Sequence, residues 1–179
     1  MKTTNILISG FGGQGVLFTG KFLAYEGLLE GREVTWLPSY GPEMRGGTAN
    51  CSVIISDDPV GSPIVDHPNI LMVMNLPSLD KYENAVQPGG MIVVDSSLIE
   101  RKVVRDDVKA IYVPATQMAD DNGLKGLANM ILAGRILKEL GEFNDDQVEA
   151  ALKKVVSVKH PDMYDFNLTA LKLGASYEG

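Results

Sequence analysis

Asn5-Ile6-Leu7-Ile8-Ser9-Gly10-Phe11-Gly12-Gly13-Gln14-Gly15 is the stretch that decides how this chain folds. A short apolar run stops at a glycine cluster, as a buried parallel strand does when it feeds a tight turn. From about Gly13 to Glu30, Val16, Leu23, Ala24 and Leu28 recur at helical spacing. Gly20, Ala24 and Gly27 share one face of that helix. A glycine inside a helix costs about 1 kcal/mol against alanine, so the cluster predicts a helix pressed close to a sheet. Gly31 is read as the residue that ends it. Glu33 to Leu37 is expected to form a second strand, and the opening third reads β-α-β.

Beyond it, residues 38–47 (PSYGPEMRGG) form a loop with two prolines and three glycines. Thr48 to Ile55 alternates, with Ala49, Cys51, Val53 and Ile55 opposite Thr48, Asn50 and Ser52. That pattern predicts a half-buried strand, an antiparallel member of a mixed sheet. Asp57 to Pro68 is turn-rich. Ile70–Met74, Met91–Val94 and Ala110–Val113 read as strands, and Leu79–Val86 as a short helix. From about residue 123 the chain reads as helical, with Leu124, Leu127, Ala128, Ile131, Leu132 and Leu140 as a wide stripe. Asn144 is placed to cap a further helix, with Gln147 three residues on and Phe143/Val148 as a hydrophobic staple. Its core face is Val148, Ala151, Leu152 and Val155. The expected fold class is α/β, a Rossmann-like open, mostly parallel sheet with helices on both faces, in one domain over residues 1–179.

Composition narrows the function. The 179 residues are 45% apolar and 22% charged, and a chain of this length buries roughly 70% of its unfolded surface, enough for an unstapled core. No apolar run approaches the ~20 residues of a membrane span. Met1-Lys2-Thr3-Thr4 runs straight into the first strand, with none of the features of a secretory signal. A single cysteine, Cys51, forms no intrachain disulfide and fits a reducing cytoplasm. The net charge of −7 argues against nucleic acid. One cysteine holds no iron–sulfur centre, and His67 and His160, each before a proline, make no metal site. Cys51 is read as a core thiol. The pairs Asp57-Asp58, Asp106-Asp107 and Asp120-Asp121 are read as solvated turns. No residue is assigned as catalytic or metal-binding.

Two segments are candidates for ligand contact. Gly10-Phe11-Gly12-Gly13-Gln14-Gly15 fits G-x-G-x-x-G between a strand and a helix. Gly10 suits a tight turn, Gly12 close approach of a phosphate, and Gly15 helix packing. The free N–H groups of the helix start favour an anion. A nicotinamide dinucleotide site also wants an acid at the end of the second strand. That place reads Trp36-Leu37-Pro38-Ser39, and Glu33 comes too early. Anion contact and a purely structural turn both stay open. The second segment, Ser39 to Gly47, follows the carboxyl end of the second strand, where ligands of open α/β sheets bind. Ser39 and Tyr40 belong to it, and Arg45 could offer its guanidinium fork to a phosphate or carboxylate. The alternative is a surface loop in which Arg45 pairs with Glu43 or solvent.

The strand ending G-F-G-G-Q-G, the segment PSYGPEMRGGTANCSVIIS (residues 38–56) and PGGMIVVDSS (residues 88–97) together resemble the gamma subunit of the 2-oxoacid:ferredoxin oxidoreductases. The likeness runs on to Asn167-Leu168-Thr169-Ala170-Leu171-Lys172-Leu173-Gly174. It implies a multi-subunit enzyme that oxidatively decarboxylates a 2-oxoacid with coenzyme A and ferredoxin. Thiamine diphosphate, magnesium and the iron–sulfur clusters would sit on partner subunits, thiamine-binding alpha and beta chains and a ferredoxin-like chain. This chain alone would hold none of them and would be inactive, with a homodimer as one state in isolation. Loop detail resembles the 2-oxoglutarate or branched-chain branch, 2-oxoglutarate preferred. The resemblance makes Gly10, Gly12, Gly13, Gln14, Gly15, Ser39, Tyr40 and Arg45 the candidates for coenzyme A contact. The alternatives are a docking role without ligand, or a free-standing nucleotide- or anion-binding protein.

Overall fold

The computed structural model describes residues 2–39 and 48–179. Six strands form one sheet: β1 (Thr3–Phe11), β2 (Glu33–Ser39), β3 (Thr48–Ser56), β4 (Ile70–Val73), β5 (Met91–Asp95) and β6 (Lys109–Val113). Their order is β2-β3-β1-β4-β5-β6. β1, β4, β5 and β6 are parallel neighbours, and β3 runs antiparallel to both β1 and β2. The sheet is therefore open and mostly parallel, with β3 the antiparallel member its sequence suggested.

Two details differ from the sequence reading. β1 and β2 point the same way but are not neighbours, because β3 lies between them. β3 is also buried on both faces: Ser52, Ile54 and Ser56 are covered as well as Cys51, Val53 and Ile55. An interior strand has cover on each side, and alternation in sequence could not tell it from a half-exposed one. β2 is an edge strand, as is β6, and Pro38, which has no N–H to donate, is tolerated there.

Helices cover the two faces unequally. α1 (Val16–Leu29), α3 (Ala115–Asp121), α4 (Ala128–Leu140), α5 (Asp145–Val155) and α6 (Asp162–Ser176) pack with the strands in the larger core. The other face carries α2 (Leu76–Tyr82), a 3-10 turn (Glu83–Ala85) and irregular segments over Leu7, Leu71, Val73, Ile92 and Val94. The helix expected at Leu79–Val86 starts earlier because Asn75 caps it, its Oδ1 accepting from the Ser78 N–H at 2.9 Å. α1 starts at Val16, since the residues from Gly13 belong to the turn.

α1 lies against the sheet through its glycine face. A Cβ on Gly20 would come within 2.3 Å of Cys51 Sγ, and one on Gly27 within 2.7 Å of Ile55 Cγ2. α1 ends as expected: the Arg32 and Gly31 N–H groups close back on Gly27 and Leu28, with Gly31 at φ +73°. Asn144 caps α5, accepting from Gln147 N–H at 3.2 Å. No helix among the described residues is long and apolar enough to cross a membrane.

Candidate functional site

The glycine turn sits at the carboxyl end of β1, and its shape comes from both backbone and side chain. Gly13 and Gly15 have φ of +90° and +78°, which strain any residue with a Cβ. Gly10 is different, because it belongs to β1 and its role is space. A Cβ there would lie 2.6 Å from Gln14 Oε1 and 3.1 Å from Met74 Cβ. The tight turn assigned to Gly10 is thus made two to five residues later.

Gln14 is the brace of the turn. Its Oε1 accepts from the Phe11 N–H at 2.6 Å, and its Nε2 donates to Met74 O at 3.1 Å. One carboxamide thereby closes the turn and ties it to the end of β4. Gln14 is thus occupied structurally, whereas Gly12, Gly13 and Gly15 line an open cavity of about 460 Å³ with Phe11, Phe18 and Ala49. α1 starts at this cavity with no side-chain cap and no acid in its first turn. Its leading N–H groups and dipole therefore favour negative charge there.

Buried polar side chains hold the turn from below, and the sequence reading did not single them out. Asn129, near the start of α4 and 3% exposed, donates through Nδ2 to Gly15 O at 3.2 Å and to Thr19 Oγ1 at 3.0 Å. On the other side Ser9 Oγ donates to Ala49 O, and Ser78 Oγ donates to Ser9 Oγ at 2.9 Å. A polar residue at an otherwise apolar buried position, such as Ser9 ending its run, was the available signal.

Ser39 ends β2 opposite Asn50, and Thr48 pairs with Phe11. Ser39 and Thr48 therefore lie at the end of the sheet that carries the turn. Tyr40 and Arg45 themselves lie outside the described residues. β3 also changes the argument about dinucleotides. The strand beside β1 on this side enters with Thr48 and Ala49, so the end of β2 is one strand removed from the turn.

Cys51, Asp57 and Asp107 are occupied by their surroundings. Burial pushes the Cys51 thiol up to about 12, so it stays protonated as a core side chain. Asp57 pairs with Arg32 at 3.2 Å, and Asp107 with Arg105 at 2.6 Å. Among the described residues no group of three or more His, Cys, Asp or Glu could hold a metal ion.

Fold and site together define an open α/β domain of the glycine-turn class, with the turn at the carboxyl edge of its sheet. The chain belongs to the pyruvate ferredoxin/flavodoxin oxidoreductase family, whose model matches residues 5–177. It is 38% identical over 178 residues to the ketoisovalerate oxidoreductase subunit VorA of Methanothermobacter marburgensis, covering 98% of this chain and 37% of that one. It is 34% identical over 176 residues to the 2-oxoglutarate synthase subunit KorC of Methanothermobacter thermautotrophicus, covering 94% and 92%. The chain thus spans little more than a third of the VorA relatives it matches. The gamma subunit of a keto/oxoacid ferredoxin oxidoreductase from Geobacter sulfurreducens superposes with a TM-score of 0.80 at 26% identity, over 96% of both chains. A 2-oxoglutarate:ferredoxin oxidoreductase from Magnetococcus marinus, solved with 2-oxoglutarate, coenzyme A and succinyl-CoA bound, shares the fold with a TM-score of 0.83 at 24% identity. The match covers 97% of this chain and 30% of that one.

Proposed function

We propose that this chain serves as the gamma component of a cytoplasmic 2-oxoacid:ferredoxin oxidoreductase and contributes anion-binding groups for coenzyme A. The observation that carries this reading is the glycine turn, open at the N-terminus of α1 within a chain matched almost end to end by KorC. In the assembled enzyme a 2-oxoacid would lose carbon dioxide and its acyl group would pass to coenzyme A. The two electrons released would go to ferredoxin. Thiamine diphosphate, magnesium and iron–sulfur clusters would be held by the alpha, beta and ferredoxin-like partner chains. Gly12, Gly13 and Gly15 offer backbone approach to a phosphate, with Ser39, Tyr40 and Arg45 supplying polar contacts from the neighbouring segment. The oxoacid proposed is 2-oxoglutarate. The 38% identity to VorA favours 2-ketoisovalerate as the second reading.

The test uses the complex purified from its native source. Viologen reduction with 2-oxoglutarate outpacing that with 2-ketoisovalerate supports the first reading, and the reverse order supports the second. Arg45→Ala should leave assembly intact and raise the KM for coenzyme A about ten- to a hundredfold, as expected for a lost charge-assisted contact. Lysine should recover part of that. A mutant that falls out of the complex with unchanged coenzyme A kinetics would make this segment a docking face.

A further inference from the structure

α5 is lightly anchored. It buries only Val148, Ala151 and Leu152, where α4 buries nine residues. Irregular chain flanks it on both sides, residues 141–144 and 156–161, the first opening at Gly141 with φ +71°. A helix with so few buried side chains opens more readily than the core around it. Its main seat is α1, with a smaller contact to α6. Glu26 lies in that seat, 3% exposed, and neither of its carboxyl oxygens finds a donor among the described residues. Gln147 reaches across from α5, but its Nε2 donates to the Glu26 backbone O and to Glu30 Oε1, both at 3.2 Å. The charges that act on Glu26 have its own sign, Glu30 one turn along α1 and Glu142 on the connection into α5. The cations nearby are engaged elsewhere: Lys2 with Glu142 at 2.5 Å, and Arg32 with Asp57 at 3.2 Å and Glu30 at 3.6 Å. Beneath this turn of α1 the strands present Val34 and Ile55. On α4, Arg135 and Glu139 pair with each other, and on α5, Asp145 pairs with Lys172 while Glu149 lies by Tyr164.

We propose that Glu26 is a proton-operated latch: neutral, it lets α5 close on α1, and ionised, it drives α5 to open about its two flanking connections. A neutral carboxyl can stay buried in this seat at modest cost. An ionised one is stripped of water, has no donor to replace it and is repelled by Glu30 and Glu142. Moving α5 hydrates that charge while exposing three apolar side chains, whereas unfolding the core would expose many more. The local route is therefore the less costly one. Burial pushes the Glu26 carboxyl up to about 7 from 4.5, with Glu30 and Glu142 adding to the effect and the Gln147 amide opposing it. The closed state is fully favoured below pH 4.5, and that advantage is lost as pH rises through about 7. Opening of α5 thus grows between those values and levels off above them.

The experiment is native-state hydrogen exchange of the full chain, followed amide by amide from pH 5 to pH 8 and corrected for the intrinsic exchange rate. The α5 amides should exchange through an opening smaller than global unfolding, with protection below that of α4 and little response to low urea. The α5 opening constant should rise roughly fifty- to a hundredfold over this range. Glu26→Gln keeps the shape of the neutral carboxyl and should hold α5 protection constant with pH. Glu142→Gln leaves α1 and α5 unaltered and removes one like charge, so the rise should level off at a lower pH. Protection of α5 equal to that of α4, with the same urea dependence, would mean that Glu26 meets water only on global unfolding and would overturn the proposal. So would α5 exchange that is independent of pH in the natural chain, or a pH dependence that survives in folded Glu26→Gln.

Discussion

At the residue scale, Gly13 and Gly15 share a left-handed backbone but not a neighbourhood. A Cβ on Gly13 would meet nothing within 4 Å, and one on Gly15 would lie 2.4 Å from Asn129 Nδ2. Gly13→Ala should therefore cost only the conformational strain, about 1 kcal/mol. Gly15→Ala adds overpacking and should cost roughly 3 kcal/mol. Urea unfolding of the two variants checks the order. Glu26 of α1 is the other exceptional residue. It is 3% exposed, and both carboxyl oxygens lack a partner among the described residues, since Gln147 donates to its backbone oxygen instead. Burial pushes its carboxyl up to about 7 from 4.5, with repulsion from Glu30 and Glu142 adding to it. Between those values the native state holds the proton more tightly than the unfolded chain. The stability contribution is thus complete below pH 4.5 and lost as pH rises through about 7. The full change is roughly 3 kcal/mol. Glu26→Gln should be more stable than the natural chain at pH 8 by up to about that amount. The gain should vanish at pH 4, and chemical denaturation at the two pH values measures it.

At the scale of elements, α4 and α6 meet backbone to backbone. A Cβ on Gly134 would lie 2.0 Å from Leu171 O, and one on Gly174 would lie 1.8 Å from Ile131 O. The two glycines are reciprocal, each clearing room for the main chain of the other helix. Flexible side chains can move aside, but a helical carbonyl cannot without breaking its own ladder. Gly174→Ala should therefore separate the helices and cost roughly 3 kcal/mol or more, despite the better helix propensity of alanine. At an exposed helical site the same change stabilises, so the sign in a thermal melt is the test.

At the scale of the whole molecule, the sheet leaves β2 as an edge, with Trp36 and Leu37 about 40% exposed beside it. No nucleophile–base pair or metal cluster was found in the sequence, and the buried Cys51 is a poor nucleophile at physiological pH. The isolated chain should therefore fold yet show no oxoacid-dependent viologen reduction, even with thiamine diphosphate and magnesium. Activity should appear only when the other chains are added. Turnover by the purified chain alone would place the active site here and contradict the proposed division of labour.

How much of this could be read in advance follows from the range of each interaction. The glycine turn, the face of α1 turned to the sheet, Gly31 as its stop and the Asn144 cap depend on residues within one turn or helix of each other, and the sequence carries them. The antiparallel direction of β3 was also legible, from its alternation. Its place between β1 and β2 was not, because strand order depends on which faces find cover, and apolar alternation looks the same in a central strand and at a rim. Nor could sequence spacing bring Asn129 beneath Gly15, 114 residues away, or set Gly134 against Leu171. The sequence by itself determined the α/β class and the turn that marks the site. Only the tertiary structure decided what holds the turn, what lies behind it and which buried acceptors are left unpaired, because those are contacts between elements distant in the chain.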